Sequence, residues 1–575
     1  MSTDRIAIAR ILGEIADHLE FKGENPFRVR AFKNAARAVI HLPGGVEDAL
    51  ADGSLAAVRG IGPATLRIVT EFLETGRSRY LDELRSEIPP GLLDMMSIPG
   101  LGVTRVRTIH AKLGVDSVSG LEAAARSGAL AALAGFGPKS AEKVLKGIRF
   151  IQGKRAFRLS HQAAQEAAVI GSSLARLPGV RRAVAAGEVR RCAEVVGELT
   201  FVLESGDGSA AAVFQGVRRF PGIEGGTAVA DWEMAFQTPS GLSLRILVAP
   251  ATRFGAALVR GTGSEAHLRL LAEEGAGRGV RLDGITLLRG NDPVDTLEEA
   301  DVYRELGLAE IPPELREGLD EVERARAGTL PILVERGDLR GLLHCHSTWS
   351  DGTAGIAELA EACRKAGYEY LGLTDHSQAA AYAGGLRAED LPRQWEEIDR
   401  VNATSSGVRV LKGIESDILS EGRLDYDDAT LGRFEFVMGS VHSRLGLGAE
   451  EMTARLLRAL DHPSLTLLGH PTGRLLLARE AYALDLDRIF ARAAERGVGL
   501  EINGDPHRLD LDWRLVRQAR EAGVPIAIGA DAHSIEGFGY ADHALTMARK
   551  AGLTAAEVLN TRSAAEFLAF AGAPT

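Results

Sequence analysis

The sequence predicts a multidomain chain with an all-α amino-terminal region, an α+β middle and a carboxy-terminal α/β barrel. Three observations carry that division. The chain has 575 residues, more than one hydrophobic core supports, so several domains are required. A Gly-x-Gly turn before a helical stretch recurs at Gly60 and Gly62, Gly100 and Gly102, and Gly135 and Gly137, with spacings of 40 and 35 residues, which marks a repeat. From residue 338 onward, β-rich apolar runs alternate with helical stretches, and run after run ends in a histidine or a carboxylate. That is the pattern of a parallel barrel with its reactive groups at one rim.

The amino-terminal region reads as short helices. Ile8, Ile11, Leu12 and Ile15 fall at helical spacing, and Gly23-Glu24-Asn25-Pro26 punctuates a turn. In the repeat, glycine lets backbone N–H groups approach an anion at the start of the following helix. The three turns resemble helix-hairpin-helix motifs, which implies that Gly60, Gly62, Gly100, Gly102, Gly135, Gly137 and the adjacent Lys139 are candidate contacts to a DNA backbone. The whole chain carries a net charge of −11, yet residues 101–158 hold eleven basic side chains against three acidic ones. A local cluster of that sign, rather than the overall sum, is the electrostatic mark of phosphate binding.

Composition is ordinary for a globular protein, with 45% hydrophobic and 25% charged residues. No apolar run reaches bilayer length and no basic-then-apolar leader opens the chain, which predicts a cytoplasmic protein without membrane attachment. Cys192, Cys345 and Cys363 are too few and too scattered for a disulfide framework or a cysteine-ligated zinc.

In the carboxy-terminal part, Asp338–Leu343 reads as a strand entering His344-Cys345-His346. Side chains two apart on a strand share a face, so the two imidazoles should lie side by side with Cys345 turned away. Asp351, on a Ser-Asp-Gly turn, can fold back toward them. Later runs end at His376, Glu415, His442, His470, Asn503, Asp531 and His533. The carboxyl ends of barrel strands form one mouth, so these residues should meet. Mixed imidazole and carboxylate donors suit zinc or manganese, whereas magnesium and calcium favour oxygen shells. Closely spaced divalent ions polarise a phosphoryl group and stabilise the oxygens of an in-line displacement, so phosphoester hydrolysis is the expected chemistry. Arg444 and Arg474, just after His442 and His470, are candidates to grip a substrate phosphate.

The ordered set His-x-His, Ser-Asp-Gly, Thr-Asp-His, Gly-Ile-Glu, Ser-Val-His-Ser, Gly-His-Pro and Asp-Ala-His resembles the PHP (polymerase and histidinol phosphatase) domain, a distorted barrel that holds three metals. The resemblance implies that His344, His346, Glu415 and Asp531 bind one ion and form the catalytic set. Glu415 would bridge to a second ion on His442 and His470, with Asp351, His376 and His533 on a third. Asn25-Pro26-Phe27-Arg28-Val29-Arg30-Ala31-Phe32 followed by the glycine repeats is similar to the eight-kilodalton and helix-hairpin-helix regions of family X DNA polymerases.

Taken whole, the chain resembles the bacterial family X polymerases that end in a PHP domain. This implies a helical domain at 1–90, a helix-hairpin-helix region at 91–158, a palm and fingers at 159–315, a linker at 316–337 stiffened by the preceding Pro312-Pro313, and the PHP domain at 338–575. Two departures stand out. The position that matches the Schiff-base lysine of some relatives is Ile68. The three palm aspartates that hold two metals fall on Glu198, Thr200 and Ser243, and Glu188 stands where a triphosphate would be gripped. The expected activity is a metal-dependent 3′-5′ exonuclease acting on gapped or 3′-ended DNA as a monomer, with polymerisation lost. An active polymerase and a histidinol-phosphatase-like small-molecule phosphatase are the alternatives.

Overall fold

The structure is a computed structural model that describes residues 3–40, 46–58, 61–96, 98, 101–154, 157–206, 209–404 and 407–572. The chain divides into two compact units: Met1–Arg158 with Gln162–Ala185 and Gly197–Pro250, and Leu159–His161 with Ala186–Val196 and Ala251–Thr575. No helix among the described residues is long and apolar enough to cross a membrane.

The first unit begins with helices. Ile8, Leu12 and Ile15 line the buried face of Thr3–Lys22 and pack with Phe32 and Val39 from Pro26–Ile40. The helices that follow the three glycine turns are Pro63–Thr75, Val103–Leu113 and Pro138–Lys154. Gly62 and Gly102 cap the first two, the Gly62 N–H donating to Thr65 Oγ1 at 2.9 Å, and the space beside Gly62, Gly102 and Gly137 is open. Lys139 is exposed beside the third. Gly60 and Gly100 lie outside the described residues.

The same unit holds a five-stranded sheet. Its strands are β1 (Val180–Ala186), β2 (Glu198–Ser205), β3 (Glu224–Ala230), β4 (Glu233–Gln237) and β5 (Ser243–Ala249), in the order β1-β2-β5-β4-β3. Both faces of β2 are buried, which its run Leu199-Thr200-Phe201-Val202-Leu203 requires. β2 and β5 run parallel with Glu198 opposite Ser243 and Thr200 opposite Arg245.

The second unit carries a three-stranded antiparallel sheet, β6 (Val280–Asp283), β7 (Thr286–Arg289) and β8 (Asp292–Val294), and then the barrel. The segment expected as a linker is packed rather than a free tether. It forms the helix Glu321–Ala327, with Val322 and Val334 buried and Glu321 bonded to His267 Nδ1 at 2.7 Å.

Seven parallel strands close the barrel in chain order: β9 (Gly341–Cys345), β10 (Tyr370–Leu373), β11 (Arg409–Asp417), β12 (Phe436–Ser440), β13 (Leu467–Leu468), β14 (Gly499–Asn503) and β15 (Ile526–Ala532). Closure comes from β9 pairing with β10 on one side and β15 on the other. At the end where the strands begin, the helix Ala564–Ala571 sets Phe567 against Tyr370 and Phe436, with ring centroids 5.8 and 5.5 Å away. Apolar packing thus stoppers one end, and the polar strand termini are left to the other.

Candidate metal centre at the barrel mouth

The two histidines of β9 come together by a different route from regular alternation. The register slips between Leu343 and Cys345, and His344 takes φ +60°, so a bulge rather than the pleat turns its ring inward. The rings of His344 and His346 then lie 5.2 Å apart, while Cys345 is buried in the outer core. His470 and Asp531, at the ends of other strands, also have positive φ, at +26° and +52°. Left-handed backbone is uncommon for such residues and gathers where a site dictates side-chain direction.

All nine donors read from the sequence lie in one pocket, five of the histidines around Glu415. Glu415 meets His470 Nε2 at 3.0 Å, His376 Nδ1 at 2.9 Å, His344 Nε2 and His442 Nε2 each at 3.4 Å, and His346 Nε2 at 3.8 Å. Asp531 Oδ1 stands 3.5 Å from both His344 Nε2 and His346 Nε2. Asp351 Oδ1 is 3.4 Å from His533 Nε2, 3.7 Å from His376 Nε2 and 3.9 Å from His346 Nδ1. Four donor groups are compact enough for an ion: His344 with His346 and Asp531; His344 with Glu415 and His470; His376 with Glu415 and His442; and His346 with Asp351, His376 and His533.

These residues fit a bound metal on their own terms. His344 Nε2, both ring nitrogens of His346, His376 Nδ1, His470 Nδ1 and Glu415 Oε2 are buried without a hydrogen-bond partner. Each such atom costs about 1–3 kcal/mol when left unsatisfied, and coordination by a cation removes that cost. Burial drives His346 down to about 4. Burial also opposes charge on His442 and His533, but Glu415 and Asp417 lift the former to about 10, and Asp351 and Asp531 lift the latter to about 9. Glu415 and Asp531 are buried as well, yet the surrounding imidazoles hold both well below the usual carboxylate range. The pocket therefore stays negative at its carboxylates, and an entering cation displaces protons from histidine.

Several residues that orient the donors were not singled out from the sequence. Glu501 accepts from His344 Nδ1 at 2.5 Å and from the His470 backbone N–H at 2.6 Å. Room for its carboxylate exists because Gly529 has no side chain: a Cβ there would stand 1.7 Å from Glu501 Oε1. Asp417 accepts from His442 Nδ1 at 3.0 Å, and Asn503 donates to Asp531 at 3.0 Å. Asp417 was legible, since it follows Glu415 by two on β11 and shares its face. Arg508 was missed altogether; its Nε is buried without a hydrogen bond, 3.5 Å from Asp531 Oδ2.

The two proposed phosphate-gripping arginines part ways. Arg444 is exposed just beyond His442, with φ +54°. Arg474 corrects the sequence reading, because its guanidinium is already committed. It pairs with Glu194 and Asp512, each at 2.8 Å, and donates to the carbonyls of Arg508 and Leu509. Each of its three nitrogens is already bonded within the protein.

In the five-stranded sheet, Glu198 accepts from Thr200 Oγ1 at 3.2 Å and from Ser243 Oγ at 3.3 Å. Arg245 lies beside it, 3.9 Å from Glu198 and 2.5 Å from Glu233. Asp231 sits past Glu233 in the β3–β4 turn; with Gln237 opposite Ser243 and Glu233 opposite Leu247, that is the far end of the sheet from Glu198. Arg190 and Arg191 are tied up within the second unit, Arg190 by both oxygens of Glu299 at 2.8 and 2.6 Å and Arg191 by Glu317 at 3.2 Å.

A closed parallel barrel with this donor set, on a chain that also carries helix-hairpin-helix repeats, defines a DNA-handling protein with a metal-dependent PHP domain. Family models match in that sense: a helix-hairpin-helix domain at residues 4–78, a SAM-like helix-hairpin-helix tandem at 92–149, a DNA polymerase beta thumb at 257–317 and a PHP domain at 343–505. The DNA polymerase/3′-5′ exonuclease PolX of Bacillus subtilis (strain 168) is 35% identical over 573 residues, covering 98% of both chains. The chain belongs to the PolX family, the bacterial family X DNA polymerases with a PHP domain. The barrel alone is also similar to probable phosphatases: one from Thermoanaerobacter sp. (strain X514), 30% identical over 234 residues, covers 38% of this chain and 85% of the relative. Another from Syntrophotalea carbinolica, 26% identical over 228 residues, covers 38% and 90%.

Proposed function

We propose that this protein is a metal-dependent 3′-5′ exonuclease of DNA repair that works through its barrel mouth, and that its polymerase site no longer polymerises. The observation that carries the reading is the convergence of nine donors in one pocket, with buried polar atoms of His344, His346, His376, His470 and Glu415 unpartnered, on a chain with a helix-hairpin-helix tandem. His344, His346, Asp351, His376, Glu415, His442, His470, Asp531 and His533 would hold three ions, manganese or zinc, which when bound polarise the scissile phosphate and activate water. Glu501 and Asp417 fix the rings of His344 and His442. Arg508, with exposed Arg444, offers guanidinium groups for the phosphate. The open helix starts at Gly62, Gly102 and Gly137, with Lys139, would hold the backbone of gapped or 3′-ended DNA. The protein acts as a cytoplasmic monomer in this reading.

Loss of polymerisation is supported by the sheet: one carboxylate bonded to two hydroxyls beside an arginine cannot neutralise two magnesium ions. The phosphatase relatives favour a second reading, hydrolysis of a small phosphate ester. Manganese-dependent trimming of a labelled 3′ end by the purified chain, abolished in His442→Ala, is the expected result. Hydrolysis of small phosphate esters without DNA trimming, together with salt-insensitive failure to bind gapped DNA, would replace the first reading with the second.

A further inference from the structure

Above the metal centre stands an aromatic ring that the chemistry so far does not use. Tyr382 is 74% exposed, the one aromatic among the large apolar side chains left exposed in the barrel's unit among the described residues. A single exposed ring is ordinary on a protein surface, but this one has a defined place. Its centroid lies 6.3 Å from the ring of His376 and 6.4 Å from that of His442, two of the donors around Glu415.

The backbone that carries it is pinned to the same site. Tyr382 is the middle residue of a 3-10 turn, Ala381–Ala383, flanked by Ala380 and Ala383, which are buried. The Ser377 N–H donates to the Glu415 carbonyl at 3.0 Å, and the Leu386 N–H to the His376 carbonyl at 2.8 Å, so the loop starts and ends on donor residues. The Ala379 N–H donates to Asp425 at 2.6 Å. Gly385 allows the loop to close so tightly, because a Cβ there would stand 1.9 Å from the Ser377 carbonyl oxygen. The two small alanines turn in and the ring is forced out over the centre. An apolar face is thus held beside a highly charged pocket, in tilted and edge contact with the His376 and His442 rings.

We infer that Tyr382 is the stacking platform for the 3′-terminal nucleotide, whose base lies on this ring while its phosphodiester lies at Glu415. The inference rests on the nuclease reading above and adds a positioning residue to it. Stacking on tyrosine is available to any base, so the platform carries no sequence preference.

The test uses the full chain with manganese and two labelled oligonucleotides, one ending in an ordinary nucleotide and one in a 3′-terminal abasic residue. Tyr382→Ala is expected to raise KM for the ordinary end about tenfold, with little change in kcat and none in KM for the abasic end, and Tyr382→Phe to behave as wild type. In EDTA, fluorescence of a 3′-terminal 2-aminopurine should be quenched on binding the wild-type chain and less so on binding Tyr382→Ala. Equal KM values for wild type and Tyr382→Ala on the ordinary end, equal losses on both ends, or equal quenching would overturn the inference and leave the nuclease reading standing. No trimming of either oligonucleotide by the wild-type chain would overturn the nuclease reading, and this inference with it.

Discussion

Two places in this chain gather polar side chains at the termini of parallel strands, and they have opposite characters. At the barrel mouth, five imidazoles surround Glu415 and several of their nitrogens have no partner in the protein. At the start of β2 and β5, Glu198 is bonded to Thr200 and Ser243 and stands next to Arg245. A set of donors that leaves buried atoms unsatisfied is incomplete without a cation, since each orphaned atom destabilises the fold. A carboxylate whose neighbours are hydroxyls and a guanidinium has its partners already. Hydrogen-bond satisfaction, more than the presence of acidic residues, distinguishes a site built for metal from one that is not.

The sharpest way to break this contrast is Glu415→Gln. It removes the carboxylate shared by two of the four donor groups, and 3′ trimming should fall to background with the metal content of the purified protein sharply reduced; retained metal would show that Glu415 is not central. Next in size is Arg474→Ala. It leaves buried Glu194 and half-buried Asp512 with only Arg514, at 3.4 and 3.1 Å, so stability should drop by about 1–3 kcal/mol, read by urea unfolding. A variant of unchanged stability but raised KM would return Arg474 to the substrate.

Glu501→Gln should lower metal affinity or trimming about 10- to 100-fold, the usual cost of loosening a ligand's orienting partner, measured by manganese titration. The smallest effect belongs to the other region. Glu198→Ala should leave trimming within about twofold of wild type, as surface-type polar changes do, and neither chain should extend a primer with all four dNTPs. Sustained synthesis by the wild-type protein would erase the contrast altogether.

Much of the barrel was legible because its chemistry is written at strand ends. Imidazole and carboxylate recur where β-rich runs stop, and the parallel topology that brings those ends together follows from the alternation with helices. What escaped was whatever depends on partners distant in sequence. Arg474 looked available because it follows His470 closely, whereas Glu194, which engages it, lies far upstream. Arg508 follows a strand end by five residues, in a loop whose path no periodicity reveals. The bulge at His344 was invisible for a related reason: strand alternation and a register slip give the same His-x-His spacing. Glu501 lies two residues before Asn503, the residue taken as the end of that run, and its part in holding the rings shows only in the 2.5 Å contact to His344.

The closure of the barrel by β15 bears on how the protein acquires its metal during biosynthesis. Asp531 and His533 come from the last strand, and β9, which bears the first histidine pair, has no neighbour on that side until β15 arrives. In a nascent polypeptide still short of residue 533, two of the four donor groups, the one with Asp531 and the one with His533, are therefore incomplete, and the wall behind the first histidine pair is missing.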